Sequence, residues 1–258
     1  MEYNCRLYDY PDGQHVTFYK KTISRREDRQ EDGEKKKGTC ENFSKAYKNE
    51  FRTEEEEKRC IDVSLSATKN RIYNIARSNM WDWFITLTFD RTRTDSSEYD
   101  TIVKRLKIFL NNIQKRKCPG MKYLIVPELH ADKEHYHFHG LLADVDGMRF
   151  VYSGQDDKAG GPVYNVKDWT WGFTTATRIK DSGRASSYIT KYITKDNVNI
   201  LKEKNRYYCS RNIDRAEAEL FLKDEEDFQK TYADRITYCK SVRIPAAHQG
   251  CNYYELSD

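Results

Sequence analysis

The run from Val126 to Leu142, VPELHADKEHYHFHGLL, carries four histidines and Glu128 in a stretch that reads as one β-hairpin. Strand residues alternate faces, so His137 and His139 point one way while Tyr136, Phe138 and Leu142 point the other, toward a core. With ADKE as a four-residue loop, antiparallel register sets Glu128 opposite His137 on the same face. Two imidazole nitrogens and a carboxylate oxygen can hold one divalent cation and leave positions open for a substrate, as catalytic metal sites do. A lone histidine on a strand is usually packed or solvated. His130 and His135, which flank the turn, are read that way and given no role.

A second group lies between Ser186 and Asp196, SSYITKYITKD, an immediate duplication of Tyr-Ile-Thr-Lys. As a strand it would mix Ile189, Lys191, Ile193 and Lys195 on one face, whereas a helix separates the residue types. The helix is preferred despite the poor helix propensity of Ile and Thr. Ala185, Ile189 and Ile193 then form a buried stripe, and Tyr188, Lys191, Tyr192 and Lys195 share an adjacent one. Such a helix can be simply amphipathic, with packed rings and solvated hydroxyls. Beside a metal hairpin it has a chemical use. A tyrosine hydroxyl can attack a phosphodiester in line if its proton is removed and the charge building on the phosphate is balanced. Phenol ionises near about pH 10, so a neighbouring lysine and a divalent ion would help at neutral pH.

These groups need a scaffold. FITLTF, Phe84–Phe89, reads as a buried strand, and a polar helix is expected over Ser66–Ser78. SSEYDTIVKRLKIFLNNIQKRK places Ile102, Leu106, Phe109 and Ile113 at helical spacing and stops at Pro119-Gly120. Lys122–Leu129 and Tyr136–Ala143 are the hairpin strands. A Gly-rich loop around Gly154–Pro162 precedes a strand in WTWGFTTATRIK, a helix from about Gly183, and a short strand in RYYCS. The order β-α-β-β, loop, β-α-β indicates an α+β fold, an antiparallel sheet with helices on one face. The expected domains are a charged arm over residues 1–65, partly disordered or helical, a central domain over 66–211, and a C-terminal helical extension over 212–258.

Hydrophobic content of 38% beside charged content of 33% describes a soluble chain, and no apolar run approaches a membrane span. The first residues lack the apolar stretch of a secretory signal, which argues against export. Seven cysteines without a C-x-x-C pair read as free thiols of a reducing cytoplasm. The net charge of +4 is modest, but its distribution is uneven. Arg178, Lys180, Arg184, Lys191, Lys195, Lys202, Lys204 and Arg206 form a basic stripe suited to a polyanion, with Arg178, Lys180 and Arg184 as the candidate DNA contacts. The acidic stretch Asp214–Asp234 reads as a solvated helix. Some of the nineteen tyrosines could stack unpaired bases.

Taken together, these motifs resemble the HUH endonucleases, and among them the rolling-circle replication initiators of small single-stranded DNA phages and plasmids. Phe84–Phe89 is similar to their first motif, His137-Phe-His139 with Glu128 to their metal motif, and Tyr188-x-x-Lys191-Tyr192-x-x-Lys195 to the paired-tyrosine motif of microvirus gene A and filamentous-phage gene II relatives. The resemblance covers about Trp81 to Arg211, with the motifs in the same order. It implies an RRM-like palm, a Mg²⁺ or Mn²⁺ ion, and a metal-dependent DNA endonuclease and strand transferase. A 5′-phosphotyrosine link would leave a free 3′-hydroxyl to prime synthesis, and two tyrosines imply two consecutive transfers. The implied partner is single-stranded DNA at a replication origin in a bacterial host cytoplasm. No G-x-x-x-x-G-K-[ST] occurs in the sequence, so unwinding is expected of a host helicase and synthesis of a host polymerase. Three other readings stay open: a transposase or plasmid relaxase with the same chemistry, an iron oxygenase built on a facial triad, and a non-catalytic nucleic-acid-binding module.

Overall fold

Alternation of apolar and polar residues begins at the second residue of the chain, and the computed structural model shows that it builds strands there. The structure describes residues 1–24, 53–194, 204–244 and 249–257. Strands β1 (Glu2–Tyr10) and β2 (Gly13–Ser24) come first, followed by helix α1 (Glu54–Arg77). Then come β3 (Trp83–Leu87), α2 (Tyr99–Arg116), β4 (Lys122–Leu129) and β5 (Tyr136–Ala143). A hairpin of β6 (Phe150–Asp156) and β7 (Pro162–Val166) leads to β8 (Thr174–Arg178) and α3 (Ser182–Ile189). The chain closes with β9 (Tyr208–Cys209), β10 (Glu219–Phe221), α4 (Glu225–Thr231), β11 (Ile236–Ile244) and β12 (Gln249–Leu256). The class is α+β, as expected from sequence.

The chain divides into two compact units. The larger comprises Leu65–Ala216 with Tyr10–Asp12, and contains a seven-stranded sheet in the order β6-β7-β8-β3-β5-β4-β9. One face of this sheet presents Trp83, Ile85, Leu87, Phe138 and Leu142 to the stripe Ile102, Leu106, Phe109 and Ile113 of α2. Each large apolar side chain buried here contributes roughly 1.5–3 kcal/mol. The short α3 packs against β5, and its tyrosines meet Phe84 and His139 on the opposite face.

The stretch expected to be a loop around Gly154–Pro162 is a hairpin instead. Phe150↔Val166 and Tyr152↔Tyr164 are paired, and a register shift between Tyr152 and Gln155 marks a bulge. Gly154 sits in that bulge at φ +84°, a conformation that favours glycine. Asp157 closes the turn by accepting from the amides of Ala159 and Gly161, both at 2.8 Å. Glycine was thus a bulge signal here and not a loop signal.

The smaller unit holds the described residues of Met1–Asp9, Gly13–Ser64 and Glu217–Asp258, and its sheet runs β10-β1-β2-β12-β11. The charged arm therefore begins with two strands, and α1 starts at Glu54, well before Ser66. The C-terminal extension is mostly strand, its one helix among the described residues being Glu225–Thr231. Val16↔Tyr254 and Thr17↔Tyr253 pair residues from opposite ends of the chain, and Phe18 packs on Phe228 at 4.9 Å. The period-two pattern in HVTFYKK was present, but its partner lies too far along the sequence for local reading to supply. The described cysteines are free thiols. Among the described residues no helix is long and apolar enough to cross a membrane.

Gly172 lies where the chain enters β8. A Cβ there would stand 2.3 Å from the Thr88 carbonyl oxygen and 2.5 Å from the Asp90 amide nitrogen, both backbone atoms that cannot swing aside. Gly172→Ala is expected to lower stability by about 2 kcal/mol, the usual cost of overpacking, read as a fall in the denaturant midpoint. An unchanged midpoint would mean that the strand ends can separate freely.

Candidate active site

The hairpin of β4 and β5 has the register its sequence implied. Glu128 pairs with His137 and Val126 with His139, and the His130 amide donates to the His135 carbonyl at 2.7 Å across the ADKE loop. Asp132 ties that loop together. Its carboxylate accepts from the amides of Glu134 and His135, both at 3.0 Å, and these bonds hold it well below the ordinary aspartate value. His135 contributes to the turn through a 2.9 Å contact with Asp132. His130 is not merely solvated: its ring stacks on His137 at 4.7 Å.

On the face away from α2, the two histidines are oriented by the neighbouring strand. Thr86 Oγ1 lies 3.1 Å from His139 Nδ1, and Thr88 Oγ1 lies 3.4 Å from His137 Nδ1. Engaging Nδ1 leaves Nε2 of each ring for other work, as supporting hydrogen bonds do around metal-binding imidazoles. Thr86 and Thr88 were missed from sequence, although they alternate within FITLTF with the same period of two as the histidines. The carboxylate of Glu128 contacts His139 and not its direct neighbour His137, with Nε2···Oε2 at 2.6 Å. Burial first, then the adjacent His130 and His139 rings, push the His137 imidazole below its ordinary value.

Helix α3 starts where Asp181 caps it, its side chain accepting from the Arg184 amide at 2.9 Å. It ends at Ile189 and continues as a 3₁₀ turn, Thr190–Tyr192, a tightening that suits a run of β-branched residues with weak helix propensity. Ile189 and Ile193 are buried as expected, while Ser186 is buried in place of Ala185, which is only partly covered. The two tyrosines remain on one face: the Tyr192 hydroxyl donates to the Tyr188 hydroxyl at 3.0 Å. The ring of Tyr192 stacks on His139 at 3.6 Å, and Phe84 lies beneath both phenols at 5.2 and 6.0 Å. Lys191 places its ammonium 4.8 Å from the Tyr188 ring centre. Burial, then the bond to Tyr188, drives the Tyr192 phenol far above its ordinary value. Tyr188 is 44% exposed and is the more accessible of the pair. Lys195 lies outside the described residues.

Glu128, His137, His139, Tyr188, Lys191 and Tyr192 are therefore brought to one region of one sheet face. The donor types suit a divalent cation. As the side chains stand, however, no three His, Cys, Asp or Glu among the described residues are gathered closely enough to hold one. The Glu128–His139 hydrogen bond takes up two of the atoms such an ion would need.

Arg178, Lys180 and Arg184 gather elsewhere, around a cleft of about 300 Å³ that Asp157, Gly161 and Thr177 also line. Arg178 lies 4.2 Å over the Trp83 ring, and Arg184 approaches Asp181 at 3.2 Å. The expected stripe does not stay free along its length. Lys204 is paired with Asp100 at 2.6 Å and Arg206 donates to Thr68 at 3.0 Å. Lys195 and Lys202 lie outside the described residues.

The sheet, the histidine hairpin and the tyrosine turn together define the class to which this region is similar. Residues 82–197 match the model of the family of replication-associated proteins that groups ORF2 with the gene II protein. That match begins at the residue before β3 and spans the hairpin, the cleft and both tyrosines, so it marks this segment as that of a replication-associated protein with a role in replication initiation. Comparisons with the curated proteins and with solved structures give no match.

Proposed function

We propose that this protein is a DNA-nicking and strand-joining enzyme that starts and ends rolling-circle replication. The observation that carries the reading is the pair of phenol hydroxyls, 3.0 Å apart, stacked against a histidine that shares its face with a second histidine and a carboxylate. Tyr188 is the first nucleophile in this reading. It is exposed, it accepts the Tyr192 proton in a hydrogen bond that favours its phenolate, and the Lys191 ammonium lies over its ring. Its oxygen forms a bond to the phosphorus of one phosphodiester as the bond to the 3′-oxygen breaks. The phenol proton ends on that 3′-oxygen, leaving a 5′-phosphotyrosine and a free 3′-hydroxyl. Tyr192 acts second, once the hydroxyl it donates to has been consumed.

Glu128, His137 and His139 would hold a Mg²⁺ or Mn²⁺ ion after small rotations that open the Glu128–His139 contact. Such an ion supplies charge balance on the non-bridging phosphate oxygens. Thr86 and Thr88 keep both imidazoles turned toward that position. A host helicase and polymerase are the partners this reading calls for. Its direct test is incubation with single-stranded origin DNA and Mn²⁺: a denaturation-resistant protein–DNA band is expected, and its absence with every origin-derived strand would overturn the reading.

Arg178, Lys180 and Arg184 are the residues we assign to the DNA backbone. Affinity for single-stranded DNA should then fall steeply with salt, with a slope of about −0.7 per neutralised phosphate. Neutralising Arg178 and Lys180 together is expected to make the log–log slope shallower by roughly 1. An unchanged slope in titrations at several ionic strengths would return this cleft to ordinary solvated surface.

A further inference from the structure

Residues directly opposite one another on neighbouring strands share a face, so the histidine face is ordered in rows across the sheet. One row is Thr175, Thr86, His139 and Val126. The next is Phe173, Thr88, His137 and Glu128. The Thr88 amide donates to the Phe173 carbonyl at 2.9 Å, Thr88 reaches His137, and His137 pairs with Glu128. At 73% exposure, Phe173 is the most exposed large apolar side chain among the described residues.

Single exposed apolar residues are ordinary; the place of this one is not. The close approach that Gly172 permits fixes the backbone beside Thr88, and the alternation of the strand then turns Phe173 outward while Thr174 is buried. Its row neighbours are a hydroxyl and an imidazole, and Thr175 beyond it is exposed. The surroundings are therefore too polar for an apolar protein interface, yet they leave a flat ring open to solvent. Two strand spacings, about 10 Å, separate its backbone from that of His137, a distance that a nucleotide flanking a phosphate at the histidine row would span.

We propose that Phe173 is a stacking platform for an unpaired nucleobase of the single strand whose phosphate lies at His137 and Glu128. The inference rests on the single-strand reading above and adds to it the residue that sets the position of the strand. Every base has a π face, so the contact would add affinity with little sequence preference.

The test uses the full chain and an oligothymidylate carrying one fluorescent purine analogue, placed in turn along the strand. Phe173→Ala and Phe173→Leu are expected to weaken binding roughly ten-fold or more, the size of one lost stack, and to abolish quenching at one position. Phe173→Trp should retain both, and all three variants should melt as the wild type does. Wild-type affinity and quenching in Phe173→Ala would overturn the proposal, even if covalent adducts still form and the strand-transfer reading stands. Loss of affinity on Phe173→Ala, in a protein that never forms an adduct, would support stacking and remove strand transfer instead.

Discussion

Tyr188→Phe together with Tyr192→Phe is expected to abolish covalent attachment to DNA, a loss of at least about a thousand-fold, as removal of a nucleophile gives elsewhere. Both substitutions keep the rings, so the stack on His139 and the contacts with Phe84 survive and the fold should be unchanged. The single variants separate the roles. Tyr192→Phe should still attach through Tyr188, more slowly because the hydrogen bond to the attacking oxygen is gone, and should fail to complete strand transfer and circularisation. Tyr188→Phe should attach far less, since the remaining phenol is partly buried and its ionisation is pushed upward. Mass spectrometry of digested protein–oligonucleotide complexes reads the linkage directly. An adduct on any other residue in the wild type, or one that persists in the double variant, would take both tyrosines out of the chemistry.

Replacing His137 or His139 by Ala should lower Mg²⁺- or Mn²⁺-dependent nicking by about a hundred-fold or more, given that a metal on a phosphoryl oxygen is worth several kcal/mol. Calorimetric titration with Mn²⁺ should lose its binding signal in the same variants. Affinity for single-stranded DNA should fall less, because the contacts at Arg178, Lys180 and Arg184 lie apart from the histidines. His139 is 7% exposed and packs on Tyr192, so its variant needs a melting curve beside the activity. His137 is more open and gives the cleaner comparison. Full nicking by the double variant at saturating metal would end the assignment of a metal to this face. Glu128→Gln is the companion, expected to lose metal affinity while keeping the hydrogen-bonding shape of the side chain.

Much of this site was legible in the chain because it depends on short-range periodicity. The spacing of His137 and His139 put them on one face, and the length of the ADKE loop set Glu128 against His137, which is the register found. The period of four in YITKYITK placed two phenols together, and their hydroxyls meet. What these patterns could not supply was direction across strands. Glu128 reaches diagonally to His139, a choice made by side-chain rotamers and not by register.

The failures have one physical cause. β2 and β12 pair through residues at opposite ends of the chain, and neither strand carries a local signal naming its partner, so a charged arm and a helical extension were expected where a sheet forms. The bulged hairpin of β6 and β7 was read as a loop because glycine marks both, and only pairing distinguishes them. Lys204 and Arg206 looked like free positive charge until Asp100 and Thr68, both distant in sequence, were found beside them. The sequence by itself determined which residue types share a face, since the strand period of two and the helix period of 3.6 are properties of the local backbone. The tertiary structure alone decided which faces meet. Packing α3 against the side of the sheet away from α2 set Tyr192 on His139, and pairing β8 beside β3 placed Phe173 in the row of His137, because those contacts are fixed by long-range burial and hydrogen bonding.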